Sequence, residues 1–182
     1  MSAHEKPMLF SGPMVRAILD GSKTQTRRVI KSLTQSCPYP VGTRVWVRET
    51  WAAIDYYDNR KPSQIPETNL VYRAGGPNLN GEDRQTFKID GRGKWRPSIF
   101  MPKWAARIWL EITDVRVQRL QDISEEDAMA EGVDWRDYAG LASKTARKLF
   151  ADLWESINGK DSWHANPWVW VYEFKRAEGG AE

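Results

Sequence analysis

Gly21-Ser22-Lys23-Thr24-Gln25-Thr26-Arg27-Arg28 sets a lysine and a threonine three residues apart beside two arginines. Eight residues thus hold a candidate base, a candidate nucleophile and an anion-binding surface. A threonine hydroxyl attacks an acyl carbon only when a neighbour takes its proton. An amine can do this when desolvation or nearby cations bring its pKa from above 10 to roughly 7–8. Arg27 and Arg28 are such cations. A carboxylate that orients the amine or assists the leaving group would complete the set, and Glu131 is the candidate. It closes the short run Ser124 to Gly132, where an acid faces the negative end of the helix dipole, a local inconsistency that can mark a functional position. Taken alone, Lys-x-x-Thr is a common spacing and an exposed glutamate is the plainer reading.

Spacing also constrains geometry. Residues three apart on a regular strand point to opposite faces, so Lys23 and Thr26 converge only if the segment starts as a turn. A strand beginning near Thr24 would line up Thr24, Thr26 and Arg28 and leave Lys23 to curl in from the loop.

The elements that must hold these residues are legible as alternating or periodic runs. Met8-Leu9-Phe10 reads as a short strand, followed by a helix with Ser11 or Gly12 at its cap and Pro13 in its first turn, ended by Asp20-Gly21. Arg44 to Trp51 alternates as a half-buried strand with Val45, Val47 and Glu49 on one face. From about 52 to 96 prolines and glycines interrupt short strand-like pieces such as Leu70-Val71-Tyr72-Arg73, which reads as an insertion and a candidate lid. Order returns at Pro97, with a long strand over Arg107 to Leu120, a short helix after Ser124, a helix from about Ser143 to Ile157 and a last strand at Pro167 to Lys175. In the longer helix Ala146, Leu149, Phe150, Leu153 and Trp154 form the apolar stripe. The expected class is α+β in a single domain, with a curled sheet or small open barrel.

Composition narrows the function classes. The 182 residues are 41% hydrophobic, and no apolar run approaches the roughly 20 residues that span a bilayer, so a soluble, cytoplasmic protein is expected. Cys37 is the single cysteine, and His4 and His164 lie in no ligand pattern, so neither a disulfide nor a metal is expected. The net charge is only +3, but Lys23, Arg27, Arg28 and Lys31 cluster, as do Arg84, Lys88, Arg92, Lys94 and Arg96, and local fields of this kind attract phosphate. Most of the ten tryptophans should be packing, leaving one or two for a ligand.

Gly21-x-Lys23-x-x-Thr26-x-Arg28 matches the Gly-x-Lys-x-x-Thr-x-Arg signature of the ASCH domain family, and the chain resembles that family over most of its length. Val41-Gly42-Thr43-Arg44-Val45-Trp46-Val47 resembles the family's Gly-Asp-x-Leu-x-Val strand, with Thr43 in place of the usual acid. Leu9 to Val15 and Trp104-Ala105-Ala106-Arg107 resemble members carried by phages and prophages. The resemblance implies a PUA-like small open β-barrel flanked by helices, here with a long insertion. It is strongest in function to bacterial amidohydrolases that deacylate N4-acetylcytidine. Their lysine and threonine match Lys23 and Thr26, and their glutamate matches Glu131 in Asp127-Ala128-Met129-Ala130-Glu131-Gly132. Those enzymes are much shorter, lack the 52–96 segment and have few tryptophans, which leaves substrate range open.

The expected reaction is therefore removal of an acyl group from the exocyclic N4 of cytidine or a related nucleoside. Thr26 is its nucleophile, Lys23 its base and Glu131 its assistant. Arg28 would stabilise the developing oxyanion, and Trp46, Trp51 or Trp104 would stack on the base. No cofactor is implied, the partner is a modified nucleoside or RNA, and the sequence does not give the oligomeric state. Three alternatives stand beside it: a non-catalytic reader of RNA or modified bases, a ribonuclease using the same cleft, and a phage protein that binds another protein.

Overall fold

The computed structural model describes residues 5–32, 34–68, 70–75, 92–133 and 145–178. The chain divides into two compact units, one of Met1–Leu19, Thr43–Glu111 and Arg176–Glu182, the other of Asp20–Gly42 and Ile112–Lys175.

In the first unit, β1 (Glu5–Leu9) leads into α1 (Gly12–Asp20). The Val15 N–H donates to the Ser11 carbonyl at 2.9 Å, while Pro13, which has no amide N–H, sits in the first turn where none is required. Val15 and Ile18, one turn apart, face inward with Ala17. The helix runs to Asp20 and stops at Gly21, whose φ of +83° only glycine adopts without strain. Nothing lies within 4 Å of a Cβ placed there, so Gly21→Ala tests backbone conformation alone. It is expected to lower stability by about 1–2 kcal/mol in urea denaturation, and an unchanged midpoint would refute that account.

β3 (Arg44–Arg48) pairs parallel with β1, from Glu5↔Arg44 to Leu9↔Arg48, and antiparallel with the start of β6 (Trp109–Arg119). Its alternation predicted one buried face, but Val45, Trp46 and Val47 are all buried. Both faces of β3 are therefore dry, and Trp46 on the face expected to be wet joins the apolar cluster of Trp51, Met101 and Trp109. β4 (Trp51–Ala52) and β5 (Val71–Tyr72) make a two-stranded ribbon, and isolated bridges join Trp51 to Arg96 and Ile54 to Arg92. The described part of the 52–96 segment thus folds onto the apolar cluster that holds Trp51, Ile65, Leu70, Tyr72 and Met101. Residues 76–91 lie outside the described residues. Beside the cluster, Arg107 holds Glu49 through both carboxylate oxygens at 2.7 and 2.9 Å and donates to the Gly75 carbonyl at 2.7 Å. The guanidinium also stacks over the Tyr72 ring, so this buried charge has the partners that burial demands.

In the second unit, β2 (Gln25–Val29) runs antiparallel to β7 (Trp168–Ala177), in register from Gln25↔Glu173 to Val29↔Val169. Here α2 (Glu125–Ala130) is capped by the Ser124 hydroxyl, which accepts from the Asp127 N–H at 3.1 Å. α3 (Ala146–Asn158) is capped in the same way by Thr145 and ends at Gly159. Its buried face is Ala146, Phe150, Ala151 and Trp154, while Leu149 and Leu153 are half-buried. The stripe is therefore turned towards Ala151 from the one expected, and the expected start at Ser143 lies outside the described residues. Leu120, Ile123, Ala128, Val169 and Val171 close the core against these helices.

The sheet order is β1-β3-β6-β7-β2, which makes the chain α+β with an open five-stranded sheet among the described residues. In that order β2 stands at one end of the sheet, beside β7.

Candidate functional site

The turn at Gly21 releases the chain into β2 earlier than the sequence implied. Lys23 does not curl in from a loop: it forms an antiparallel bridge with Glu131. The Thr24 N–H donates to the Ala130 carbonyl at 2.8 Å, and the Thr24 carbonyl accepts from Phe174. The strand-like course thus begins at Lys23. Alternation then sends Lys23, Gln25 and Arg27 towards α2 and leaves Thr26 and Arg28 at the intervening positions, paired across the sheet with Tyr172 and Trp170.

Lys23 and Glu131 meet across 108 residues of sequence. The Lys23 ammonium donates to Glu131 Oε2 at 2.7 Å and to the Glu131 backbone carbonyl at 2.8 Å. Glu131 is the C-cap of α2, and this explains an acid at the negative end of a helix: a cation neutralises it and also satisfies a terminal carbonyl. Arg27 completes the carboxylate. Its Nη1 donates to Glu131 Oε1 at 2.9 Å and its Nη2 to Asp127 Oδ2 at 2.7 Å. Asp127 also accepts from Gln25 at 3.0 Å and from Arg116 of β6 at 2.8 Å, and both of those donors reach Glu173 of β7.

Lys23, Thr26, Arg27 and Glu131 are each no more than 3% exposed. Burial pushes the Lys23 amine below its usual range; Glu131 opposes the shift, while Arg28 and Arg27 add to it. For Asp127, burial alone would raise the carboxyl, but bonds from Gln25 and Arg116 and the charge of Arg27 hold it below the ordinary value. Arg28 is lowered by burial against the opposing influence of Glu131, Tyr39 and Tyr172.

Thr26 shares its cross-strand position with Tyr172, whose ring stands edge-on to Tyr39 at 5.4 Å and whose hydroxyl receives the Cys37 thiol at 4.0 Å. Burial, then Cys37, pushes the Tyr172 phenol well above its usual range, so it stays protonated at neutral pH. Asp127, Gln25, Arg116 and Tyr172 were not anticipated as site residues, and Arg27 was anticipated only as a nearby cation. A signal existed for some of them: the two-residue period of 23, 25 and 27, and the four-residue spacing that puts Asp127 and Glu131 on one helix side.

No protein-family model matches this chain, and no curated protein matches it. The solved structures that this chain is similar to include two. One is an ASCH domain from Lactobacillus crispatus JV V101, 14% identical, with a TM-score of 0.44 over 95% of this chain and 79% of that one. The other is a protein from Enterococcus faecalis V583, 12% identical, with a TM-score of 0.43 over 100% of this chain and 87% of that one. At these values neither likeness bears on what the chain does.

The three tryptophans expected to stack on a base belong to the first unit. Trp51 is fully buried and Trp46 nearly so in its apolar cluster, and Trp104 packs on that cluster edge-on to Trp51 at 6.3 Å. One face of Trp46 is also covered by the Arg48 guanidinium at 4.5 Å. Packing accounts for each. A cavity of about 460 Å³ in the second unit is lined by Glu125, Arg147, Lys148, Asp152, Trp163 and His164 among others, and by none of Lys23, Thr26 or Glu131. Among the described residues no group of three His, Cys, Asp or Glu side chains could hold a metal, and no helix is long and apolar enough to cross a membrane.

Proposed function

We propose that the chain is an ASCH-type amidohydrolase that removes an acyl group from the exocyclic N4 of cytidine or a related nucleoside. The observation that carries this reading is the 2.7 Å contact between Lys23 Nζ and Glu131 Oε2. It joins the base and the assistant that the amidohydrolase resemblance implies, in a buried setting that lowers the pKa of the amine. A solvated Glu131 far from Lys23 would have favoured a reader of modified bases instead.

The steps follow from the groups. Lys23 and Thr26 take alternate positions of the strand-like course and share no hydrogen bond among the described residues, so in this reading the Thr26 hydroxyl proton reaches the Lys23 amine through water and not by direct contact, as the Thr26 oxygen attacks the acyl carbon. The carbonyl electron pair moves to oxygen, where Arg28 supplies positive charge. Collapse of this intermediate breaks the bond between the acyl carbon and N4. The Lys23 ammonium returns its proton to N4, and cytidine leaves. Water then attacks the acyl-threonine ester, Lys23 takes its proton, and release of the carboxylic acid restores Thr26. Glu131 orients Lys23 throughout.

The test is incubation of the purified chain with N4-acetylcytidine and with an RNA oligomer bearing N4-acetylcytidine. Acetate is expected from at least one of them, matched by free cytidine from the nucleoside or by an unmodified cytidine residue in the oligomer. Release from neither overturns the reading, and retention of the uncleaved oligomer with a steep salt dependence would assign the site to recognition.

A further inference from the structure

Arg27 has no part in the steps above, yet its side chain is as fully buried as that of Lys23. Its two terminal nitrogens go to different acids, Nη1 to Glu131 and Nη2 to Asp127, while its buried Nε has no partner among the described residues. A guanidinium is a rigid fork, so a grip on both acids also sets the angle of the Glu131 carboxylate. The result is a division: Oε1 of Glu131 belongs to Arg27 and Oε2 to Lys23.

We infer that Arg27 is a positioning residue that withholds half of the Glu131 carboxylate from Lys23, leaving the amine an incomplete counter-ion so that it can surrender its proton and serve as a base. The charges around Lys23 support this. Glu131 from the end of α2 is the anion in contact with it, and Arg27 and Arg28 from β2 are the cations that oppose its protonation. Beyond them, Asp127 of α2 keeps Arg27 from turning wholly to Glu131, and Arg116 of β6 and Glu173 of β7 hold Asp127 and Gln25 in turn. The inference rests on the amide-hydrolysis reading for its activity readout. The division of charge is a property of the folded chain itself.

The competing account is a plain cross-link between β2 and α2, and the two differ in sign. Arg27→Gln returns the whole Glu131 carboxylate to Lys23 and removes a neighbouring cation, so both effects favour the ammonium. Asp127→Asn frees Arg27 to take more of Glu131 and removes an anion, so both effects disfavour it. The experiment is a titration of the full chain followed by NMR of 15N-labelled lysine side chains, with the Lys23 resonance assigned from Lys23→Met. The Lys23 midpoint is expected to rise by about one pH unit in Arg27→Gln and to fall by a similar amount in Asp127→Asn. The base limb of kcat against pH should move in the same directions, with KM changed by less than about twofold.

Midpoints that stay in place, or that move the same way in both variants, overturn the inference and leave a cross-link. If Arg27→Gln does not fold, Asp127→Asn decides alone, because its side chain is 22% exposed and Asn keeps its shape. A fall supports the inference; an unchanged or raised midpoint overturns it. Opposite shifts in a chain that hydrolyses no acylcytidine would sink the proposed function and leave the charge division standing. Hydrolysis with fixed midpoints would do the reverse.

Discussion

Thr26→Val removes acyl release while keeping the shape of the side chain: kcat falls by about 10³-fold or more. The expectation follows from what the substitution keeps. Thr26 is 1% exposed and sits in register with Tyr172, so a valine of the same shape fills its place between β2 and β7. The change takes away the hydroxyl that attacks and nothing that packs. Thr26→Ser keeps the hydroxyl and should retain most of the rate, which makes the pair of variants a test of chemistry and not of volume. Steady-state release of cytidine measures both. If Thr26→Val keeps more than about a tenth of the activity, Thr26 is not the nucleophile.

Glu131→Gln has the second large effect, and it falls on stability. The side chain is 3% exposed and carries the charge shared by Lys23 and Arg27, so a neutral amide leaves two buried cations short of an anion. Removing one partner of a buried ion pair costs about 3–5 kcal/mol, against a total of about 5–15 kcal/mol for a typical domain. The loss should also depend on pH, with a definite sign. The Lys23 amine titrates below 10.5 in the folded chain, so between its folded midpoint and 10.5 the unfolded chain holds a proton that the folded chain lacks, and stability rises with pH. Glu131 works to raise that midpoint, and without it the midpoint drops further. While Glu131 is ionised, the deficit of Glu131→Gln against the parent is therefore greatest below the variant's Lys23 midpoint and shrinks as pH rises from that midpoint to the parent's. Urea unfolding across a pH series measures it, and a deficit that grew with pH would contradict the assignment.

Much of this architecture could be read before any coordinates. Gly21 as a helix stop, Ser124 as a cap and the strands around Trp46, Trp109 and Trp168 depend on local rules, and local rules act within a few residues. Lys23 and Glu131 were separately suspicious, one for its charged neighbours and one for its place at the wrong end of a helix dipole. Their partnership came from the chemistry and from the resemblance, because nothing within one short window records that residue 23 will bridge residue 131. The role of Arg27 was lost for a related reason. A run of Lys-Thr-Gln-Thr-Arg-Arg shows charge density, but which arginine faces the acids depends on where strand pairing begins, and it begins at Lys23, a step before the expected start. For Trp46 the local pattern was correct and the neighbourhood was not: alternation describes a strand with one wet face, and β3 has two dry ones. Asp127 and Glu131 carried a helix spacing that pointed to a shared side, a signal that becomes meaningful once their partners are known.

The bridge between Lys23 and Glu131 also has a consequence in time. The two residues are 108 positions apart, and a ribosome that adds about 5–20 residues each second leaves roughly 5–20 s between them. During that interval the nascent chain carries Lys23, Arg27 and Arg28 with no acid from α2 to meet them. The site thus cannot ripen as the N-terminal third emerges. It is assembled late, in one step, when the short helix arrives.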